Sequence, residues 1–171
     1  MSAVLDRTEA AEYYFKYIDK VQGDVRHVLE AQLPETVTFL RSISEEQSLH
    51  RYAPGKWSMR EALSHVNDTE RVFVFRAFWF ARGFEGPLPS FDQDVAVPTA
   101  AADERSWSSH VEEFQAVREA TLALFTHLPE AAWTRRGIAS GNPVTVRALA
   151  YITAGHVEHH IQILRERYLR S

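Results

Sequence analysis

Hydrophobic residues recur with helical spacing along most of this chain. In four long segments the apolar side chains return every three or four residues, and a shorter amphipathic stretch precedes them. The long segments are Val21–Ile43, Met59–Arg82, Glu104–Leu128 and Val144–Tyr168, and the short stretch is Thr8–Asp19. No segment has the alternation of apolar and polar residues that is typical of a β-strand. The pattern therefore predicts an all-α protein built on four helices.

Turn-forming residues show how these helices are connected. Pro54 and Gly55 precede the sequence Ser58-x-x-Glu61, a capping box that predicts the start of the second helix. The second and third segments are joined by GFEGPLPSFDQDVAVPTAAAD, which is long for a simple turn and suits a crossover connection. We therefore predict a four-helix bundle with a long crossover between helices 2 and 3. It forms one domain over residues 1–171, in which residues 1–20 are an N-terminal helical extension.

Composition and charge exclude several classes of function. The chain has 171 residues, of which 45% are hydrophobic, enough for the core of one domain. It has no cysteine, so disulfides, thiolate metal ligands and cysteine nucleophiles are excluded. The net charge is −4 without a basic cluster, and no stretch approaches the ~18 apolar residues of a membrane span. We expect a cytoplasmic protein that binds neither nucleic acid nor membrane.

Three histidines are the strongest candidates for chemistry. His156 and His160 lie four residues apart in GHVEHHIQIL, a spacing that places their Cβ atoms about 5–6 Å apart on neighbouring helical turns. His65, in SHVNDTERVF of the second helix, supplies a third imidazole. Three neutral nitrogen donors can hold one divalent metal ion and leave positions open for water or substrate.

The apolar face of the fourth helix decides between neighbouring histidines. With His156 at 0° and about 100° per residue, the apolar residues Leu149, Ile152, Ile163 and Leu164 fall between about −40° and +80°. His160 falls at about +40°, inside this stripe, whereas His159 falls at about −60°, at its edge. His156 and His160 are therefore the predicted ligand pair, and His159 is a candidate for orienting a ligand or relaying protons.

Alternatives remain for several of these residues. Three buried imidazoles without metal would each need hydrogen bonds, because an unpaired one costs about 1–3 kcal/mol. His110 is either a fourth ligand, a substrate contact or a histidine bonded to backbone. Asp68, one turn from His65, is either a partner that orients a ligand imidazole or an ordinary surface residue.

Two arginines and one glycine also stand out. Arg76 shares the helix face of His65, and Arg167 follows His160. Each either binds an anionic group of a substrate, pairs with a carboxylate such as Glu70, or extends to the end of the bundle. Gly155 interrupts the fourth helix at a cost of about 1 kcal/mol, which predicts that another segment approaches its backbone closely.

These motifs together resemble the DinB-like superfamily of metal-dependent enzymes. The resemblance is carried, in order, by RYAPGKWSMREALSHVNDTERVFVFRAFWFARG, PLPSFDQDV and TAGHVEHHIQILRERY, and covers nearly the whole chain beyond about Val21. It implies an up-down-down-up bundle, commonly a homodimer, with nickel or zinc held by one histidine of the second helix and two of the fourth. Those positions match His65, His156 and His160.

The resemblance also implies a class of function. It predicts a hydrolase, or a transferase related to bacillithiol transferases that uses a small thiol, acting on a small molecule. Tyr52, Trp57 and the loop Phe91–Val97 are candidate pocket walls. The alternative is a non-catalytic bundle that binds metal in a stress response or for structure. A structural ion is normally enclosed by four protein ligands, so an open coordination position favours an enzyme.

Overall fold

Six α-helices and one β-hairpin are the main elements of residues 5–169, the part of the chain that the computed structural model describes. Helices α2, α3, α5 and α6 pack together as a bundle, which confirms the predicted fold class. The elements are α1 Phe15–Ile18, α2 Val25–Arg41, α3 Met59–Ala81, α4 Gln93–Thr99, α5 Trp107–Thr126, β1 Arg136–Ala139, β2 Asn142–Thr145 and α6 Val146–Ile163.

The order of the helices around the bundle places α3 between α5 and α6, and α2 packs against α5 and α6 on the other side. This is the predicted up-down-down-up arrangement with a long connection between α3 and α5. The connection contains the short helix α4, because two neighbouring helices that run in the same direction need a segment that returns along the bundle. None of the described helices is long and apolar enough to cross a membrane.

Side-chain caps fix where the bundle helices begin. The Ser58 hydroxyl accepts from the Glu61 N–H, and the Glu61 carboxylate accepts from the Ser58 N–H, so the predicted capping box is confirmed. The first long helix begins at Val25 instead of Val21, because Gly23 has a φ of 89° and Asp24 caps the helix. Ser106 and Thr145 cap α5 and α6 in the same way.

The prediction that the chain contains no strand was wrong for residues 136–145. The strands β1 and β2 pair antiparallel around Ser140 and Gly141, which have φ values of 53° and 75° and form a tight two-residue turn. The crossover joins this hairpin, since the Leu88 N–H donates to the Ile138 carbonyl. Each strand has only four residues and β2 contains Pro143, so the alternation was too short to identify.

The N-terminal segment packs against α6 at a glycine. Its residues form the two 3-10 turns Arg7–Glu9 and Glu12–Tyr14 followed by α1, and not the continuous helix expected for Thr8–Asp19. A Cβ atom on Gly155 would lie 2.1 Å from the backbone oxygen of Tyr17. The predicted close approach at Gly155 is therefore confirmed, and the segment that approaches is α1.

A layer of buried polar side chains crosses the middle of the bundle and separates two apolar clusters. On α3, Val66 belongs to one cluster and Phe73 to the other, and the buried polar residues Thr69 and Glu70 lie between them. On α6, Ala154 and Val157 flank His156 in the same way. The polar layer comprises Gln32, His65, Thr69, Glu70, Arg118, Thr121 and His156, all of them buried.

A charged pair occupies one half of the polar layer. Arg118 is fully buried on α5, and its Nε and Nη2 atoms donate to the two carboxylate oxygens of Glu70 on α3 at 2.8 and 2.9 Å. Its Nη1 atom donates to Gln32 on α2 at 2.8 Å, and the Gln32 amide donates to the Ala154 carbonyl on α6 at 3.0 Å. This network connects the four bundle helices at the level of the histidines.

Candidate metal centre

His65, His156 and His160 converge in the other half of the polar layer. Their ring centroids lie 5.1 Å apart for His65 with either of the others and 4.5 Å apart for His156 with His160. One ring nitrogen of each lies within 4.8 Å of the others. His65 and His156 are buried, whereas His160 is partly exposed. The bundle thus brings together the three histidines that the sequence singled out.

Burial keeps these imidazoles neutral. Removal from water lowers the pKa of His65 to about 4 and that of His160 to about 3. The pKa of His156 is also held well below its ordinary value, first by burial and then by the neighbouring histidines. A neutral imidazole has a free lone pair, so all three side chains are in the state that binds a metal ion.

Acid should destabilise the metal-free protein through these groups. The unfolded chain takes up a proton on His65 below about pH 6.5, whereas the folded chain resists protonation down to about pH 4, so stability falls as the pH drops through this window. We expect His65 alone to account for about 2 kcal/mol of lost stability between pH 7 and pH 5. Urea unfolding of the wild type and of H65A at both pH values measures the loss of unfolding free energy. If H65A loses as much stability as the wild type between pH 7 and pH 5, His65 is not the group responsible.

A threonine contacts the first histidine. The hydroxyl of Thr69 lies 3.3 Å from Nδ1 of His65 and is buried on the same face of α3. The carboxylate of Asp68 instead accepts from the Arg71 guanidinium at 3.2 Å. The structure therefore places Thr69, and not Asp68, in position to hold the His65 ring.

His159, the remaining histidine of α6, lies beside the group formed by His65, His156 and His160. The ring of His159 is 5.3 Å from the ring of His160 and 5.3 Å from that of Tyr17. Burial lowers the pKa of His159, and the nearby positive charge of Lys20 lowers it further. His159 is partly exposed, as is His160.

Tyr17 was missed by the sequence analysis although it covers the histidines. Its ring lies edge-on 5.2 Å from that of His156, and burial raises the pKa of its phenol, which stays protonated. The run of aromatic residues in AEYYFKYI was the available signal, because buried rings on a short amphipathic segment require a packing partner.

Two cavities reach the histidines from different sides. The larger, of about 280 Å³, is lined by His160 together with Tyr52 and Trp57, which were predicted as pocket walls. The smaller, of about 140 Å³, is lined by His65 and His156 and by residues of α1, α3, the crossover and the hairpin. These residues include Tyr13, Tyr14, Tyr17, Thr69, Phe73, Arg76, Phe91, Gln93 and Ser140. A small molecule can therefore approach the centre from either cavity.

The remaining candidates have other partners. His110 is fully buried, and its Nε2 atom lies 2.9 Å from the Ala102 carbonyl, which favours the interpretation as a histidine bonded to backbone. The guanidinium of Arg167 lies 5.7 Å from the ring centroid of Tyr52. Glu70, considered as a partner of Arg76, pairs with Arg118 instead.

Comparisons with known proteins agree with this architecture. The profile of the DinB superfamily matches residues 28–164. The fold is similar to that of YfiT from Bacillus subtilis, described as a probable metal-dependent hydrolase with an unusual four-helix bundle topology. The TM-score is 0.73 at 18% sequence identity, covering 96% of this chain and 91% of YfiT. No curated protein matches the chain.

Proposed function

Since this chain belongs to the DinB superfamily, we propose that it is a divalent-metal-dependent enzyme that acts on a small molecule. His65, His156 and His160 are the proposed ligands, and zinc or nickel is the proposed ion. The observation that carries the proposal is the convergence of three neutral ring nitrogens within 4.8 Å between two cavities. Three histidines leave a coordination position open, which is the pattern of catalytic and not of structural sites.

The donor set fits such an ion. Imidazole nitrogen is a good ligand for both zinc and nickel, and burial has already removed the protons that would compete. Nitrogens bound to one zinc at about 2.0–2.1 Å lie at most about 4.2 Å apart, so small rotations of the rings suffice for binding. If the proton of His65 is on Nδ1, the ring donates it to the Thr69 hydroxyl, and Nε2 is then free to bind the ion.

The ion would supply Lewis acidity, which lowers the pKa of a bound water or thiol and polarises a substrate. The surrounding residues define how a substrate meets it. Tyr52 and Trp57 form apolar walls beside His160, and Tyr17 shields His156 from solvent. Two cavities accommodate either one substrate and water, as in a hydrolase, or an electrophile and a small thiol, as in a transferase.

Metal content tests the ligand set. Untagged protein purified without added ions should contain about one equivalent of metal by mass spectrometry, and H65A and H160A should contain almost none. H159A is the matched control, because this histidine neighbours His160 but lies outside the group of three. Equal, negligible metal in the wild type and all variants would reduce the centre to three core histidines.

Cobalt substitution distinguishes an enzyme from the non-catalytic alternative. In protein loaded with Co²⁺, a small thiol or azide should change the visible absorption spectrum, because an open coordination position admits it. A spectrum that does not respond would indicate a closed structural site. A responsive site justifies assays of thiol transfer and of ester and amide hydrolysis with the metal found in the native protein.

A further inference from the structure

We infer that Arg76 is an anion-binding residue of the substrate site, and that it holds a carboxylate or phosphate group of a substrate whose reacting group lies at the three histidines. The inference rests on the proposed function and names its class of substrate. Arg76 lies on α3 and is only 4% exposed. It lines the smaller cavity together with His65 and His156.

The guanidinium of Arg76 is held in place by neutral partners only. Its Nη2 atom donates to the Pro89 carbonyl at 2.8 Å and to the Ser140 hydroxyl at 3.0 Å. Within residues 5–169, no carboxylate pairs with Arg76, and no acceptor receives a hydrogen bond from its Nε or Nη1 atoms. Three of its five N–H donors are therefore available to a ligand.

Arg118, the buried arginine of the polar layer, shows what the position of Arg76 lacks. All three nitrogens of Arg118 donate hydrogen bonds, two of them to the carboxylate of Glu70. A buried charge is costly unless an opposite charge accompanies it. Among the described residues, no carboxylate pairs with Arg76, and its guanidinium borders a cavity. An anion bound in this cavity would therefore supply the opposite charge.

The charges around the cavity agree with an anionic ligand. Among residues 5–169, no aspartate or glutamate lines it, and the ammonium group of Lys16 lies 3.7 Å from the ring centroid of Tyr13, one of the lining residues. A divalent ion at the histidines would add a second positive centre. Such a site attracts anions and repels cations.

The position of Arg76 limits the size of the substrate. It follows His65 by eleven residues on α3, about 16 Å along the helix axis, and an arginine side chain on a helix leans back toward the N-terminal end. The cavity between them measures about 140 Å³. Pro89 and Ser140 fix the guanidinium beforehand, which lowers the entropic cost of binding. The substrate is thus a small acid or phosphate ester.

The test measures binding of inorganic phosphate and of succinate to metal-free protein, so that an ion at the histidines does not contribute. R76M removes the charge at similar side-chain length, and R76Q removes it but keeps an N–H donor for Pro89 and Ser140. R82M is the matched control, because it removes an exposed arginine at the end of the same helix. Titration calorimetry gives the affinities, and the preferred anion distinguishes a carboxylate from a phosphate substrate.

We expect at least one anion to bind the wild type and R82M equally, and to bind R76M and R76Q about tenfold more weakly or worse. Should R76M fail to fold, R76Q alone decides. Binding that is unchanged in the folded variants, or a wild type that binds neither anion, would overturn the inference. Metal content is measured in parallel: failure of the proposed function appears as a wild type without metal, whereas failure of this inference appears as anion binding independent of Arg76.

Discussion

Replacing Arg118 by methionine is expected to lower the free energy of unfolding by about 3–5 kcal/mol, because Glu70 would remain buried without its counter-charge. Of its partners among the described residues, Glu70 would keep the hydroxyl of Thr121, which donates to it at 2.8 Å. The effect should extend to the proposed metal centre, since Arg118 holds Gln32, and Gln32 in turn bonds to Ala154 two residues before His156. Urea unfolding and metal titration of R118M measure the two effects.

A double variant and a surface variant serve as controls for this prediction. R118M/E70M replaces the whole ion pair by apolar side chains and should be markedly more stable than the sum of the single losses predicts. R71M breaks the ion pairs of Arg71 with Asp68 and Glu113, in which the Arg71 side chain is 47% exposed, and should cost less than about 1 kcal/mol. Strict additivity in the double variant would mean that the pair itself is not the source of the loss.

The second large effect is expected at Gly155. An alanine inside a helix is normally more stable than glycine by up to about 1 kcal/mol, yet here its Cβ atom would lie 2.1 Å from the backbone oxygen of Tyr17. Backbone cannot move aside as a flexible side chain does, so α1 must shift away from α6. We expect G155A to lose about 1–3 kcal/mol of stability, measured by urea unfolding.

The displacement should also be visible at the three histidines. The ring of Tyr17 covers His156, so moving α1 opens this side of the site and should increase hydrogen exchange in residues 12–20. G86A is the matched control, because a Cβ atom on Gly86 meets nothing within 4 Å and should leave both stability and exchange unchanged. A G155A protein as stable as the wild type would mean that α1 is free to move at no cost.

Local features were predictable because they depend on neighbours in sequence. The four bundle helices follow from apolar residues three and four apart, and the start of α3 follows from Ser58 and Glu61, which satisfy each other's backbone N–H groups. The pair His156 and His160 needs only one turn of helix to meet. Gly155 predicted a close contact, because a glycine inside a helix lowers its stability. It did not predict which segment makes that contact.

Features that join distant segments were not predictable in the same way. Glu70 and Arg118 are 48 residues apart, and the sequence analysis considered Arg76, and not Arg118, as a partner for Glu70. Their pairing is decided by which helix faces pack together. The hairpin β1–β2 was missed because its four-residue strands are stabilised by contact with Leu88 of the crossover, and their own pattern is too short.

The sequence by itself therefore determined the helices and the three histidine positions, because both depend on the fixed rotation of the α-helix. Tertiary structure decided what surrounds those histidines. Packing brought Tyr17 over His156 and selected Thr69 instead of Asp68 as the neighbour of His65. It also left Arg76 beside a cavity to which no described residue contributes a carboxylate. These outcomes depend on how helices, crossover and hairpin fit together, since burial and charge pairing are properties of the assembled core.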